Sequence, residues 1–197
     1  MPRDTTDEVP DEVLLAAYAR GEAAAARALT ARLVPRALGY AARMLGDRAE
    51  AEDVAQEAML RLWRAAAGWR TGEAQVATWL YRVVTNLCTD RLRARQRRRA
   101  EALDDAPEVA DASAGVEAGM IEADRMAALD AALAELPERQ RQAVVLRHLE
   151  GLSNPEIAVV MDIGVEAVES LTARGKRALA AILAGRREEL GYDGDEG

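Results

Sequence analysis

Apolar residues recur every three or four positions through most of the chain, which is the spacing that places them on one face of an α-helix. Few stretches alternate apolar and polar residues in the way that a half-buried strand requires. Alanine, leucine, arginine and glutamate, all strong helix formers, dominate the sequence. The pattern therefore predicts an all-α protein. Its predicted helical segments are 11–21, 29–35, 38–46, 47–66, 76–95, 123–136, 138–149, 154–161 and a last one from about 165.

Short polar motifs mark where several of these helices begin and end. Asp47 followed by Glu50 resembles a capping box, in which each side chain satisfies a free backbone N–H of the first turn. Ser153 and Glu156 repeat the motif, with a proline in the first turn, where it is tolerated. Pro35 predicts a break between the second and third helical segments, because proline cannot donate the backbone hydrogen bond of a helix interior.

The charge of the chain is strongly uneven. Its 197 residues carry a net charge of −8, which by itself argues against simple binding to nucleic acid. However, a basic block is followed, from Glu101 to Asp124, by an acidic segment that contains no basic residue. The basic block consists of Arg91, Arg93, Arg95, Arg97, Arg98 and Arg99.

The acidic segment has little to bury, so it is predicted to be a flexible linker between two small helical domains. About 24 flexible residues would have a root-mean-square span of roughly 25–30 Å. The predicted organisation is an N-terminal tail, a first domain, the linker, a second domain and a C-terminal tail at residues 1–10, 11–99, 100–124, 125–187 and 188–197.

Two helices of the first domain have unusual polar faces. In segment 76–95 one face repeats guanidinium, amide and carboxylate groups, which can bind base edges as well as phosphates; these residues are Arg82, Asn86, Asp90, Arg93 and Arg97. Segment 47–66 carries a second polar face, made of Asp53, Gln56, Glu57 and Arg61. The alternative for both is an ordinary solvated face, and Glu57 with Arg61 has the spacing of an intrahelical ion pair.

The end of the second domain has the pattern of a helix-turn-helix. A short helix, a tight turn at Asp162–Gly164 and a longer helix with a basic exposed face follow one another, although helical hairpins outside DNA-binding proteins look similar. Gly175 falls inside the last helix, where it costs roughly 1 kcal/mol relative to alanine. A close helix crossing would explain a glycine at this position.

The sequence shows no nucleophile–base pair, no set of metal ligands and no phosphate-binding loop. Cys88 and His148 are the only cysteine and the only histidine, so no internal disulfide and no His/Cys metal cluster can form. We expect no catalytic residue, metal site or cofactor, a buried Cys88 and a structural role for His148. No signal peptide and no stretch that could insert into a membrane is apparent, which predicts a cytoplasmic protein.

Two segments resemble a known family. DRAEAEDVAQEAMLRLW, from Asp47 to Trp63, and TWLYRVVTNLCTDRLR, from Thr78 to Arg93, are similar to region 2 of sigma-70 type factors. LPERQRQAVVLRHLEGLSNPEIAVVMDIGVEAVESLTARGKRAL, from Leu136 to Leu179, resembles region 4. The order and spacing of the two matches resemble the extracytoplasmic-function (ECF) group.

The resemblance implies a promoter-recognition subunit of RNA polymerase with a part in a stress response. Region 2 of the family docks on the clamp helices of the largest core subunit, and Asp53, Gln56, Glu57 and Arg61 stand at the matching positions. Region 2 also captures an unstacked base of the −10 element. That role is implied for Asn86, with Arg82 and Asp90 beside it, and Arg91, Arg93, Arg95 and Arg97 would hold phosphates.

The loop from Trp69 to Ala77 corresponds to the family's specificity loop around that base, and its candidate residues are Trp69, Arg70, Thr71, Gly72 and Glu73. Region 4 of the family places its last helix in the major groove of the −35 element. The matching candidates are Glu169, Ser170, Arg174, Lys176 and Arg177.

The region 4 match has departures. Glu169 and Leu171 stand where many relatives carry a basic residue, and Asp162 stands where a glycine is usual in the turn. These differences leave the −35 sequence open. The resemblance also implies control by an anti-sigma factor. The alternatives are a sigma-like decoy that binds such an inhibitor without touching DNA, and a helix-turn-helix regulator that works without polymerase. The basic stripe argues against the decoy, and the clamp-facing surface argues against the regulator.

Overall fold

The computed structural model describes residues 9–70, 72, 75–101 and 120–189. These residues form eight α-helices and no strand, which confirms the predicted all-α class. The helices are α1 (Asp11–Ala19), α2 (Ala23–Leu45), α3 (Arg48–Ala65), α4 (Val76–Glu101), α5 (Met120–Ala134), α6 (Glu138–Val144), α7 (Asn154–Met161) and α8 (Val165–Glu189). A 3₁₀ turn follows α3 at Ala66–Gly68, and a π-helical turn continues α6 through Val145–Leu149.

Helix α2 is continuous through Pro35, so the predicted break at this residue is wrong. A proline inside a helix costs about 3 kcal/mol. Apolar side chains are buried on both sides of it, among them Leu29 and Leu33 before it and Tyr40 and Met44 after it. Because each large buried side chain contributes about 1.5–3 kcal/mol, packing of the whole helix against α1, α3 and α4 outweighs the local cost.

The corner between α2 and α3 is made by local backbone chemistry. Gly46 ends α2 in the left-handed conformation with φ 64°, and the Asp47 carboxylate accepts a hydrogen bond from the Glu50 N–H at 2.9 Å. Only this half of the predicted capping box forms in the structure. The Glu50 carboxylate instead binds the guanidinium of Arg95 at 3.0 Å, because α4 runs directly beside this corner.

The second domain contains the predicted helix-turn-helix. The capping box at the start of α7 is complete, since Ser153 accepts from the Glu156 N–H and Glu156 accepts from the Ser153 N–H. Asp162 ends α7 with φ 53°, the left-handed conformation that aspartate tolerates better than most residues. The turn leads directly into α8, which packs against α5, α6 and α7.

The two domains are in contact in this structure. Helix α7 packs along α4, and the buried apolar residues of both domains belong to one continuous cluster. Helix α4 extends to Glu101 and α5 begins at Met120, so both helices enter the segment predicted as linker. The rest of that segment, 102–119, and most of both predicted tails, 1–8 and 190–197, lie outside the described residues.

Gly175 lies where α8 crosses α6, as its position inside a helix suggested. A Cβ atom at this position would come within 2.6 Å of the Val144 Cγ2 atom and 3.1 Å of the Gln140 carbonyl oxygen. Gly185 lies in the same helix with no atom within 4 Å of the equivalent point. The two glycines therefore separate steric contact from helix propensity.

We expect Gly175→Ala to lower the free energy of unfolding by about 1–3 kcal/mol, because the crossing helices must separate. Gly185→Ala should raise it by up to about 1 kcal/mol, since alanine is the better helix former. Urea unfolding of the two variants beside the wild type measures both changes. Equal effects of the two substitutions would contradict the close crossing.

Candidate nucleic-acid and polymerase interfaces

The polar stripe of α4 is exposed. Arg82, Asn86, Asp90 and Arg93 all have solvent-accessible side chains along one line of the helix. The opposite side of α4 is buried in the core of the first domain. The helix therefore exposes the mixed amide, carboxylate and guanidinium face that the sequence predicted, and a ligand can reach this face.

The second domain forms a wall beside this stripe. An open cleft of about 610 Å³ lies between α4 and the second domain. Asn86, Asp90 and Arg93 line it on the α4 side, and Glu138 and Arg139 line it on the other. Three of the candidate −10 residues, Asn86, Asp90 and Arg93, therefore face a polar groove that both domains build, an arrangement that no local sequence pattern could show.

The four candidate phosphate-binding arginines separate into two pairs. Arg93 and Arg97 are exposed. Arg91 and Arg95 are half-buried: Arg91 donates to the Glu50 carbonyl oxygen, and Arg95 donates to the Leu45 carbonyl oxygen at 2.7 Å and pairs with the Glu50 carboxylate. These two guanidiniums join α4 to the α2–α3 corner, so in this structure they make intramolecular bonds that Arg93 and Arg97 do not make.

The loop before α4 is described only in part. Trp69 packs edge-to-face against Trp79, with ring centroids 5.8 Å apart, so its ring belongs to the aromatic packing under the loop. Arg70 is exposed, and Gly72 has φ 93°, a left-handed turn conformation that favours glycine. The other two candidates of the specificity loop, Thr71 and Glu73, lie outside the described residues.

The polar face of α3 is also accessible. Asp53, Gln56 and Arg61 are exposed and Glu57 is half-buried, with the Glu57 carboxylate accepting from Arg61 Nε at 2.8 Å. Beside this face an apolar groove of about 370 Å³ opens between α2 and α3. The groove is lined chiefly by Val34, Leu38, Ala55, Met59, Leu60 and Trp63.

Helix α8 exposes all five candidate residues for the −35 element, namely Glu169, Ser170, Arg174, Lys176 and Arg177. Glu169 accepts a hydrogen bond from the Asn154 amide at 3.4 Å, which ties the start of α7 to α8. Leu171, in contrast, is half-buried and packs against the apolar core. The departure at Leu171 therefore lies on the inner side of the helix, away from the exposed face.

Titratable groups in the described residues show no sign of an acid–base or nucleophilic centre. Cys88 is fully buried, as expected, and burial raises the pKa of its thiol to about 12, which leaves it protonated at neutral pH. His148 is exposed, and partial burial together with the positive charge of Lys176 lowers its pKa. Within the same residues no cluster of His, Cys, Asp and Glu could hold a metal ion.

Sequence reasoning missed the contacts between the domains. Glu138, Glu150 and Glu156 of the second domain each bind a hydroxyl of α4. Their partners lie 49–78 residues away in the chain. Helical periodicity cannot predict a contact between residues so far apart in the sequence. The only signal in the sequence was the presence of acidic residues in the second domain and of hydroxyl donors on α4.

Two small helical domains, a helix-turn-helix and a second exposed polar helix are features typical of proteins that bind nucleic acid. Family models agree with both halves. The sigma-70 region 2 model matches residues 29–98, and the sigma-70 region 4 model matches residues 126–179.

Curated relatives extend the match over nearly the whole chain. The RNA polymerase sigma-H factor of Pseudomonas aeruginosa is 34% identical over 182 residues, which cover 88% of this chain and 93% of the relative. The ECF RNA polymerase sigma factor SigM of Mycobacterium tuberculosis is 36% identical, with 89% and 86% covered. Among solved structures, CnrH in complex with the cytosolic domain of CnrY is 27% identical with a TM-score of 0.64, and 89% and 97% of the chains are covered.

The chain therefore belongs to the ECF group of the sigma-70 family of RNA polymerase sigma factors, which confirms the resemblance seen in the sequence. Sigma factors are transcription initiation factors and not enzymes. Among the described residues, no helix combines the length and the apolar character needed to cross a bilayer.

The division of the arginines can be tested by mutation. Arg95→Ala should lower the free energy of unfolding by about 1–3 kcal/mol, because it removes charged hydrogen bonds that join α4 to the α2–α3 corner. Arg97→Ala should leave the urea midpoint unchanged and weaken binding to single-stranded DNA. If Arg95→Ala were fully stable and only DNA binding fell, the structural role assigned to Arg95 would be wrong.

Proposed function

We propose that this chain binds the RNA polymerase core and directs promoter-specific initiation by recognising a −10 element through α4 and a −35 element through α8. The observation that carries the proposal is the presence, in one member of the sigma family, of exposed polar faces on α4 and α8 together with an accessible polar face on α3. We assign residues 11–99 to the polymerase- and −10-binding domain, 100–124 to the linker and 125–187 to the −35-binding domain.

The polar face of α3 is the proposed contact with the clamp helices of the largest core subunit. Asp53, Gln56 and Arg61 would supply hydrogen bonds and charge to the partner. The apolar groove beside them, with Leu60 exposed to 42%, would supply the surface that becomes desolvated on binding. A helical partner laid along α3 would cover both features at once.

Asn86 is the proposed reader of an unstacked base of the −10 element. Its amide can donate and accept, which suits the Watson–Crick or Hoogsteen edge of a base. Arg82 and Asp90 lie one helical turn on either side, and Arg93 and Arg97 extend the stripe toward the backbone phosphates. Because unstacking a base step costs a few kcal/mol, binding of the extruded base must offset the cost of opening the duplex.

The proposed −35 contacts come from the exposed face of α8. Arg174, Lys176 and Arg177 would bind phosphates or guanine edges, and Ser170 would bind either. Glu169 is held by Asn154 and so has a defined position, from which it could accept a hydrogen bond from a cytosine amino group.

We further propose that an anti-sigma factor restrains the protein and that it acts in the cytoplasm, where its polymerase works. The support for the first point is the homologous CnrH, which was solved with the cytosolic domain of CnrY. Membership of a family of polymerase subunits supports the second. A sigma-like decoy is the competing function, and it would need no exposed basic face on α8.

The decisive experiment reconstitutes the full chain with bacterial core polymerase and measures both core binding and transcription from a library of promoter fragments. The proposal predicts binding to the core and initiation at a subset of fragments that share −10 and −35 sequences. Absence of core binding would refute it. Core binding without promoter-selective initiation would favour the decoy.

Asn86→Ala should lower initiation from a selected promoter by about tenfold or more, because a base-edge contact is worth about 1–3 kcal/mol. Core affinity should not change, since Asn86 lies outside the α3 face. Gln96→Ala removes an exposed amide from the same helix and is the matched control. Loss of core affinity in Asn86→Ala would show that the two faces were misassigned.

Arg174→Ala should weaken binding of the holoenzyme to duplex −35 DNA by about tenfold and reduce the salt dependence of binding, because a guanidinium contact is lost. Arg20→Ala removes one exposed positive charge far from α8 and serves as the control. Unchanged affinity in Arg174→Ala would mean that α8 meets the groove in another register.

A further inference from the structure

Helix α1 contacts the chain on both sides of the loop that precedes α4. It packs against the 3₁₀ turn Ala66–Gly68, immediately before the loop begins at Trp69, and against α4, where the loop ends. The ring of Tyr18 on α1 lies 4.4 Å from the ring of Trp63 on α3, which adds an aromatic contact on the first side. Because α1 touches both sides, it constrains where the two ends of the loop lie.

Glu12 makes the polar contact at the second end of the loop. Its carboxylate accepts a hydrogen bond at 3.4 Å from the N–H of Val76, the first residue of α4. The first N–H groups of a helix have no carbonyl partner within that helix, and the helix dipole favours negative charge at this end. The first turn of α4 contains no acidic residue of its own. Glu12 therefore supplies from α1 the negative charge that this turn lacks.

Helix α1 is itself held in a defined position by α2. Arg32 of α2 donates to the Asp11 carboxylate at 2.5 Å and to the Val9 carbonyl oxygen at 2.9 Å. The side chains of Asp11 and Arg32 are only 15% and 22% exposed, so this ion pair is better shielded from solvent than a surface pair. The apolar side of α1 is buried in the core of the first domain. Glu12 thus belongs to a helix that can position the start of α4.

The start of α4 affects both parts of the proposed −10 site. The Trp79 ring, in the first turn, packs edge-to-face against Trp69 at the beginning of the loop. Arg82 and Asn86 follow Val76 by six and ten residues, or about 9 and 15 Å along the helix axis. A displacement of the first turn would therefore move the ring that supports the loop and would also reorient the exposed stripe.

Glu12 is unsuited to bind DNA directly. A carboxylate repels backbone phosphates, and a position near a DNA-binding surface makes that repulsion unfavourable for binding. The Glu12 side chain is half-buried, and its Oε1 atom is directed to a backbone N–H group. The contact with Val76 is the benefit that the structure shows for a negative charge at this place.

We propose that Glu12 is a positioning residue for −10 recognition. By binding the Val76 N–H it holds the start of α4, and the end of the loop that is attached to it, in the orientation that presents Asn86 to an extruded base. This inference rests on the proposed function. Because Glu12 acts through α4, its removal should change which base is accepted and should leave the affinity for core polymerase unchanged.

The test compares Glu12→Ala with Glu22→Ala in holoenzyme reconstituted from the full chain and bacterial core polymerase. Glu22 is exposed and pairs with Arg20 just beyond the other end of α1, so the control removes the same charge without touching α4. Initiation is measured on a selected promoter and on variants that carry each of the other bases at one −10 position. Glu12→Ala should lower the ratio of initiation between the preferred and the other bases by about fivefold, the size of one charged contact at a helix N-terminus. Glu22→Ala should leave the ratio unchanged.

Three further measurements separate positioning from a loss of structure or of charge. Glu12→Gln keeps an oxygen acceptor and loses the charge, so it should lower the ratio by about twofold. Affinity of Glu12→Ala for a single-stranded deoxyoligonucleotide of mixed sequence should be equal to or above that of the wild type, since a negative charge is removed. Hydrogen exchange followed by NMR in the free chain should show faster exchange of the Val76 amide in Glu12→Ala.

A wild-type ratio in Glu12→Ala would overturn the proposal, as would an equal loss of initiation on every promoter variant or the same loss of the ratio in Glu22→Ala. Circular dichroism reports whether Glu12→Ala folds. If it does not, Glu12→Gln decides, and a ratio equal to that of the wild type overturns the proposal.

The failure of this inference and the failure of the proposed function are distinguishable. A wild-type chain that initiates at no promoter would refute the function, and the inference with it. A wild-type chain that initiates selectively, beside Glu12 variants with the same selectivity, would keep the function and refute only the positioning role.

Discussion

The burial of α4 is the constraint on which the rest of the structure depends. One side of this helix is inserted into the first domain through Val76, Leu80, Val84 and Cys88. The next stripe, with Thr78, Tyr81 and Thr89, meets the second domain. The third stripe is the exposed one, and it is accessible to a ligand; it consists of Arg82, Asn86, Asp90 and Arg93. Because a helix repeats every 3.6 residues, these three functions are separated by single steps along the sequence. Each of the three stripes of α4 therefore has a different partner, and that partner constrains which side chains the stripe can carry.

The net charge of −8 does not show which charged side chains form bonds inside the protein and which are exposed. Some arginines of the basic block are structural, since Arg91 and Arg95 close the corner between α2 and α3. Others, such as Arg93 and Arg97, are exposed beside Asn86. Acidic side chains of the second domain occupy donors on the same helix. In this structure, carboxylates thus lie against a helix whose neighbouring face is proposed to bind phosphates.

Features with a local cause could be predicted from the sequence. The left-handed turn at Asp162, the cap at Ser153 and the close crossing at Gly175 each follow from a residue and its near neighbours. Features with a distant cause could not. The continuity of α2 at Pro35 and the pairing of Glu50 with Arg95 depend on helices that come together only in the folded chain. The hydrogen bonds of Glu150 with Tyr81 and Arg36 join residues 69 or more positions apart, so helical periodicity could not predict them.

The exposed stripe of α4 is proposed to meet the −10 element once polymerase is bound. The most direct test is photo-cross-linking. The holoenzyme is reconstituted on a promoter that carries a photoreactive base in the non-template strand of the −10 element, and the cross-linked peptide is identified by mass spectrometry. We expect a cross-link within α4 between Arg82 and Arg93. A cross-link confined to α8, or the same α4 cross-link when the photoreactive base is moved into the −35 element, would contradict it.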